Sequence, residues 1–401
     1  MAEKNLKVPN LRFPEFIRYG KWETKKLGDV GAVKMCRRIF NEETSEIGEI
    51  PFFKIGSFGK EADAFISRQL YLDYRERFSF PQKGDILISA AGTIGRTVVY
   101  KGEDAYYQDS NIVWIDNDNT EVTNQFLFYI LQIVKFNTEG GTIQRLYNNI
   151  LKSTRFNSPA IFEQTKIADF LSLIDARIQT QNKIIGDLRL LKRTLIKKIF
   201  SQKLKFKDKN RNNYPDWQFK KLGDVTRIIN KRNKNNEKLP VYSINNRLGF
   251  VPQNEQFEGI DSGDRGYDIK LYKIINKNTF AYNPARINVG SIGYSGDLEN
   301  IIISSLYVCF ITKDSVNDEF LFQYLRTDLF NTQVLKNVEG GVRQYLFYEN
   351  FARIKIKLPC HEEQIKIADF LSTLDNKIHV EINLLQQLEN QKKYLLQNMF
   401  I

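Results

Sequence analysis

Histidine and cysteine, side chains well suited to covalent chemistry near neutral pH, are scarce in this 401-residue chain. The two histidines, His361 and His379, both fall in a C-terminal stretch of helical pattern, so neither globular part can build a histidine base or a histidine metal cluster. Cys36, Cys309 and Cys360 are too scattered for a disulfide framework or a CxxC metal site, and they point to a reducing compartment. No GxxxxGK[ST] phosphate loop occurs, which argues against ATP use of the P-loop kind. Asn283-Pro-Ala-Arg286 begins like the Asn/Asp-Pro-Pro-aromatic motif of amino-methylating enzymes. It lacks the second proline and the aromatic ring that would clamp a flipped base, so it reads as a turn. The one Glu-x-Lys, Glu23-Thr-Lys25, has no aspartate before it, as an Asp…Glu-x-Lys nuclease would need. The expectation is a binder without a catalytic centre of its own.

Charge says what it binds. Lys and Arg number 59 against 47 Asp and Glu, a net charge of +12, which favours a polyanion, nucleic acid first. Affinity for duplex DNA comes largely from neutralised phosphates, and specificity from side chains that reach base edges, Arg to guanine and Asn or Gln to adenine. Turn-rich segments of the first half offer Lys34, Arg37, Arg38, Arg96, Gln108, Asn111, Gln144 and Arg145. Those of the second half offer Arg227, Lys231, Arg232, Lys234, Asn245, Asn246, Arg247, Arg286, Asn288, Arg343 and Gln344. Each alone reads first as an ordinary solvated side chain. Gln144 and Gln344 stand out because each follows a Gly-Gly pair that lets backbone approach closely. No zinc-finger, basic-zipper or RNP signature is present.

Such loops need a frame, and the frame is written twice. Glu163 begins EQTKIADFLSLIDARI and Glu363 begins EQIKIADFLSTLDNKI, a gapless match in which Gln164 and Gln364 stand 200 residues apart. Apolar residues follow at steps of three and four: Leu171, Ile174, Ile178, Ile185, Leu188, Leu195 and Ile199 in the first copy. The second copy has Leu371, Leu374, Ile378, Leu385, Leu388, Leu395 and Met399. This narrow stripe is the seam of a coiled coil. At about 1.5 Å per residue each copy makes a rod of roughly 57 Å that cannot bury its stripe alone. Two unrelated helical hairpins or a homodimer zipper would satisfy it; pairing of the two copies within one chain also explains the missing gaps, since a shared seam tolerates no length change in one partner.

A second box repeats ahead of each rod. Trp22-Glu-Thr-Lys-Lys-Leu-Gly-Asp-Val30 matches Trp217-Gln-Phe-Lys-Lys-Leu-Gly-Asp-Val225. Between box and rod, short apolar runs such as Pro51–Ile55, Asp85–Ser89, Thr97–Tyr100 and Ile112–Ile115 read as strands, and Thr123–Lys135 as a buried helix. In the second half Leu239–Ile244 resembles Ile50–Ile55, Ser291-Ile-Gly293 resembles Thr93-Ile-Gly95, and Phe320-Leu-Phe322 resembles Phe126-Leu-Phe128. The fold expected is α+β: two similar α/β recognition domains separated by two long helices packed as an antiparallel coiled coil, an internal repeat with pseudo-twofold character. The boundaries are a first domain over 1–160, a central helix over 161–202, a basic linker over 203–216, a second domain over 217–360 and a terminal helix over 361–401. No apolar run approaches the roughly 20 residues needed to span a bilayer. The N-terminal MAEKNLKVPNLRFPEF lacks the apolar core of a signal peptide, so a cytoplasmic protein is expected.

The two Trp…Lys-Lys-Leu-Gly-Asp-Val boxes and the two Pro…Glu-Gln-x-Lys-Ile-Ala-Asp-Phe-Leu helices, with Gly-Thr-Ile-Gly-Arg96 and Asn-Pro-Ala-Arg-Ile-Asn-Val-Gly-Ser-Ile-Gly293 between them, cover nearly the whole chain. In these features the sequence resembles the specificity subunit of type I restriction–modification enzymes. The resemblance implies that each recognition domain reads one half of a bipartite site in double-stranded DNA. It implies that the helix pair sets the spacer and docks two methyltransferase subunits, with restriction subunits joining them. S-adenosylmethionine, ATP and Mg would then belong to those partners, and this chain would hold no cofactor and meet no membrane. A stand-alone methyltransferase or nuclease, and a coiled-coil adaptor with no DNA role, are the competing readings. The first predicts modification or cleavage by the purified chain alone, the second partner binding that is insensitive to salt.

Overall fold

The computed structural model describes residues 8–136, 145–246, 248–256, 259, 262–340 and 344–401. Its contacts divide the chain into one unit of 1–182 with 383–401 and a second of 183–382. Each long helix is therefore shared: Ile161–Phe200, the central helix, passes from the first unit into the second, and His361–Asn398, the terminal helix, does the reverse.

In the first unit an antiparallel sheet runs in the order Gly31–Lys34, Ile112–Asn117, Ile86–Ser89, Thr97–Val99. The alternation of a strand between two covered faces explains why Ile86–Ser89 is buried throughout. Ile86 and Ile88 face a core built with the helix Asn124–Ile133, whereas Leu87 faces an aromatic core with Tyr71, Tyr100 and Tyr106. Its partner strand divides the same way, Val113 and Ile115 to one side, Ile112 and Trp114 to the other. A smaller sheet of Phe65–Ile66, Ile50–Phe53 and Tyr106–Tyr107 covers the aromatic side.

The second unit uses the same plan. Thr226–Ile229, Val308–Thr312, Phe280–Tyr282 and Ile292–Tyr294 form the antiparallel sheet. Phe280, Tyr282 and Phe310 face one core, and Ala281 and Cys309 the other. The strands Gly249–Pro252, Val241–Asn245, Ile301–Ile303 and Lys273–Ile275 make its second sheet.

The Leu-Gly-Asp of the repeated boxes packs and caps in the same way in both copies. Leu27 and Leu222 are fully buried, and their amides donate to Thr154 O at 2.9 Å and Ile354 O at 2.8 Å. A Cβ on Gly28 would lie 3.0 Å from Lys152, and one on Gly223 2.8 Å from the Ala352 Cβ, so glycine lets a short helix press against each turn. Asp29 and Asp224 accept the amides of Lys26 and Lys221, both at 2.9 Å, and cap that turn. In the helix motif, Gln164 is the hub: its Nε2 donates to Pro159 O at 2.9 Å and its Oε1 accepts the Thr123 amide at 2.9 Å. Gln364 does the same with Pro359 O at 3.0 Å and Asn317 N at 2.8 Å. Thr123 and Asn317 in turn cap the helices Asn124–Ile133 and Asp318–Leu325 by accepting from Phe126 and Phe320.

Within each unit the helix segments run head to tail. In the first, Leu395, Leu396, Met399 and Phe400 pack into the core beside Ile167 and Leu171. In the second, Ile196, Ile199 and Phe200 meet Ile367, Leu371 and Leu374. Of the seam residues, Leu171, Ile174, Ile185, Ile199, Leu371, Leu388 and Met399 are buried, and Ile178, Leu188, Leu195, Leu374, Ile378, Leu385 and Leu395 half-buried. The basic segment after the central helix is built like the N-terminal lead-in: Leu204 N donates to Lys198 O at 3.0 Å, as Leu11 N donates to Asn398 O at 2.8 Å. Phe206 then sets its ring against Phe370 at 5.6 Å, as Phe13 does against Phe170 at 5.7 Å.

Candidate nucleic-acid interface

In the first unit, hydrogen bonds gather several of the sequence-selected residues into one loop cluster. Gln108 Oε1 accepts the Ile55 amide at 2.9 Å, which ties the loop after Ile50–Phe53 to the loop before Ile112–Asn117. Arg96 donates to Phe58 O at 2.9 Å and to Thr93 Oγ1 at 3.4 Å. Arg145 reaches Ser110 Oγ at 3.0 Å and Asn111 Oδ1 at 3.1 Å. Arg38 pairs with Asp109 at 2.9 Å and remains exposed, while exposed Arg37 lies 5.3 Å over the Phe78 ring. Ser110, with φ +52°, is the bend on which Arg145 and the Met35 sulfur converge. Lys34 is engaged differently, its ammonium 2.5 Å from the Asp116 carboxylate. Gln144 lies outside the described residues.

The second unit presents a more strongly basic loop. Lys231, Arg232 and Lys234 are exposed on a turn knit by Asn233, a residue the sequence reading passed over. Asn233 is fully buried, donates to Glu237 O at 2.9 Å and accepts the Glu237 amide at 2.9 Å. Among alternating Lys, Arg and Asn, nothing in its residue type marked it out. Arg227 is exposed on the edge strand Thr226–Ile229. Asn245 accepts the Leu248 amide at 3.2 Å, and the carbonyl of exposed Asn246 lies 3.4 Å from where a Gly290 Cβ would be. Asn283-Pro-Ala-Arg286 is a turn, as its missing aromatic implied: Asn283 Oδ1 accepts Ala285 N at 3.0 Å. That turn displays Arg286, exposed, and Asn288, half-buried. Gln344 is exposed beside the stacked rings of Tyr345 and Phe347. Arg247 and Arg343 lie outside the described residues.

One sequence pairing needs correction. Thr93-Ile-Gly95 and Ser291-Ile-Gly293 look alike, but Gly95 sits two residues before the strand Thr97–Val99 with φ +78°. The residue two before Ile292–Tyr294 is Gly290, with φ +87°. Gly293 lies inside that strand, where a Cβ would come within 2.9 Å of Phe250. The two turns differ in length, so matching letters drift out of register with matching backbone.

The clusters offer cations, amides and hydroxyls, the donors that phosphate and base edges take. Burial pushes the Cys36 and Cys309 thiols up to about 12, so both stay protonated.

The model of the type I restriction modification DNA specificity domain matches this sequence twice, over 19–189 and 214–390. The chain belongs to that family. Each match takes in one recognition domain and the greater part of the helix that follows it, so the specificity domain includes its share of rod. The MjaVIII type I restriction enzyme specificity subunit of Methanocaldococcus jannaschii is 28% identical over 309 residues, 72% of each chain. S.HindORF215P of Haemophilus influenzae, named as a candidate subunit of the same kind, is 55% identical over 147 residues, 36% of this chain and 38% of that one. The crystal structure of the type I S subunit from M. genitalium superposes with a TM-score of 0.60 at 17% identity, covering 98% of this chain and 99% of that one. A chain from a type I R-M system studied for complex assembly and conformational transition gives 0.54 at 15% identity, over 94% and 97%. These likenesses establish the fold of a type I specificity subunit.

Proposed function

We propose that this chain is the non-catalytic subunit that tells a type I restriction–modification complex where to act. Each recognition domain reads one half of a bipartite site in double-stranded DNA through its loop cluster, and the helix pair sets the distance between the halves. One observation carries this reading: the frame repeats its key contacts, from Trp22–Glu163 and Gln164–Thr123 to Trp217–Glu363 and Gln364–Asn317, while the loops it displays do not repeat. Two similar frames holding different loops are suited to reading two different short sequences.

The helices also keep large apolar side chains on their outer faces, Phe162 and Leu173 at 80% and 64% exposure and Leu190 and Val380 at 65% and 57%. Such residues on paired rods favour further helices as partners. The partners would be two methyltransferase subunits, joined by restriction subunits, which bring S-adenosylmethionine, ATP and Mg; the assembly works on chromosomal DNA in the cytoplasm. Mapping methylated adenines in cells with and without this gene tests the reading. A bipartite motif methylated only when the gene is present supports it; methylation or cutting by the purified chain without partners would overturn it.

A further inference from the structure

The inward-facing line of the central helix runs Leu171, Ile174, Ile178, Gln181, Ile185, Leu188, Lys192, Leu195, Ile199, and that of the terminal helix ends Glu381, Leu385, Leu388, Lys392, Leu395, Met399. A lysine thus occupies the same seam position in both. In the first unit Lys392 Nζ lies 2.6 Å from Asp175 Oδ1, and the other oxygen of Asp175 accepts the Tyr129 hydroxyl at 2.9 Å. In the second unit Lys192 Nζ lies 2.5 Å from Asp375 Oδ1, and the other oxygen accepts Gln323 Nε2 at 2.9 Å. The lysines are 20% and 13% exposed.

Tyr129 and Gln323 are equivalent, each six residues past its helix cap, Thr123 or Asn317. The same three-way joint is therefore made twice from different donors, and each time it links both long helices to the recognition-domain helix. That helix is already held at its start by Gln164 or Gln364. A second fixed point prevents it from pivoting about the first.

Stability is a poor explanation for these joints. Each lysine loses hydration on entering the seam, and the carboxylate it meets stays 41% exposed at Asp375 and 32% at Asp175, so the pair adds little to stability. Burial draws the Lys192 ammonium below the ordinary lysine range, although Asp375 pulls the other way. A polar residue whose partner lies across such a seam serves to fix register, at some expense in stability.

We infer that Lys192–Asp375–Gln323 and Lys392–Asp175–Tyr129 are positioning joints that fix how each recognition domain rides on the helix pair, and so restrict the complex to one spacer length. The inference rests on the proposed role of the helix pair in setting that spacer.

The test uses the whole complex and a plasmid library holding the native half-sites at spacers from two base pairs shorter to two longer. The variants are Asp175→Asn, Asp375→Asn, the milder Tyr129→Phe, and the exchanged pair Lys192→Asp with Asp375→Lys. The expected result is at least fivefold more methylation at off-length spacers relative to the native spacer for the single variants, with the half-site sequences unchanged. The exchanged pair should return toward the native ratio. Variants that melt like the native protein and lose methylation equally at every spacer, or keep the native spacer ratio, overturn the joint. Should a single Asp→Asn fail to fold, Tyr129→Phe alone decides. A native complex that shows no fixed spacer fails the underlying reading instead, which separates the two failures.

Discussion

The indole N–H of Trp22 reaches a carboxylate oxygen of Glu163 at 3.3 Å, and Trp217 repeats the contact on Glu363 at 3.0 Å. One residue opens the domain and the other opens its helix, so the contact closes each module on itself. The surroundings differ. Glu163 also receives Arg12 through two bonds of 2.7 Å, in a pair whose side chains are 6% and 2% exposed. For Glu363, burial raises the carboxyl above its ordinary range despite the indole.

These differences predict opposite responses to the same substitution. Glu163→Gln leaves a buried guanidinium short of its counter-charge and should cost about 2–4 kcal/mol. Glu363→Gln should leave Tm at neutral pH unchanged or slightly raised. A carboxyl whose folded pKa is raised favours the fold only when protonated, and that contribution is lost as pH rises through the folded value. The glutamine's advantage should therefore shrink as pH falls through the raised pKa toward the ordinary 4.5. Thermal melts of both variants between pH 4.5 and 7.5 check the signs.

The loop clusters predict two classes of DNA-binding variant. Lys231→Ala and Lys234→Ala remove exposed charges. They should weaken binding to any sequence alike and lower the slope of log K against log salt by about 1 each. Arg286→Ala, on its turn beside Asn288, should instead cost about 1–3 kcal/mol for the cognate site and relax preference in one half-site only. Gel shifts across a salt series, on cognate and scrambled duplexes, separate the classes.

Arg96 and Arg145 should behave as neither. Both guanidiniums already hold neighbouring loops, through Phe58 O and through Ser110 and Asn111. Arg96→Ala should lower Tm as well as half-site discrimination, by about 1–3 kcal/mol for the unpaired carbonyl. Loss of discrimination with Tm unchanged would mark Arg96 as a base reader only.

Gly95→Ala and Gly290→Ala test the corrected alignment of the two turns. Both positions have positive φ, so each substitution should destabilise by about 1–2 kcal/mol. Gly95→Ala should cost more, because its Cβ would also meet Phe136 at 2.9 Å, whereas at Gly290 the nearest atom is 3.4 Å away. Thermal melts give the order.

How legible the fold was depended on what kind of contact each residue makes. The Leu-Gly-Asp box and the Glu-Gln helix start could be read directly, because every letter there has a local packing or capping task that the second module repeats. The apolar seam was legible by its spacing. Among its polar members, Lys192 and Lys392 carry no signal in the sequence alone, because only the opposing Asp375 and Asp175 make a lysine at that position intelligible. In the recognition loops the limits were reached sooner: Asn233 is an internal brace and Arg96 a loop tie, yet both share residue types with groups that face solvent. A side chain's partner there depends on turn length, which also misaligned Gly293 with Gly95.

The most direct test of the account is a spacer measurement on a lengthened helix pair. Seven residues inserted after Lys183 and seven after Asn383 keep the rhythm of three and four in both copies and add about 10 Å to each rod. Methylated-adenine mapping in cells carrying this variant should return the native half-sites with a spacer longer by about 3 bp, given roughly 3.4 Å per base pair. The native spacer, recovered from a folded variant that still methylates, would contradict the claim that the helix pair sets the distance.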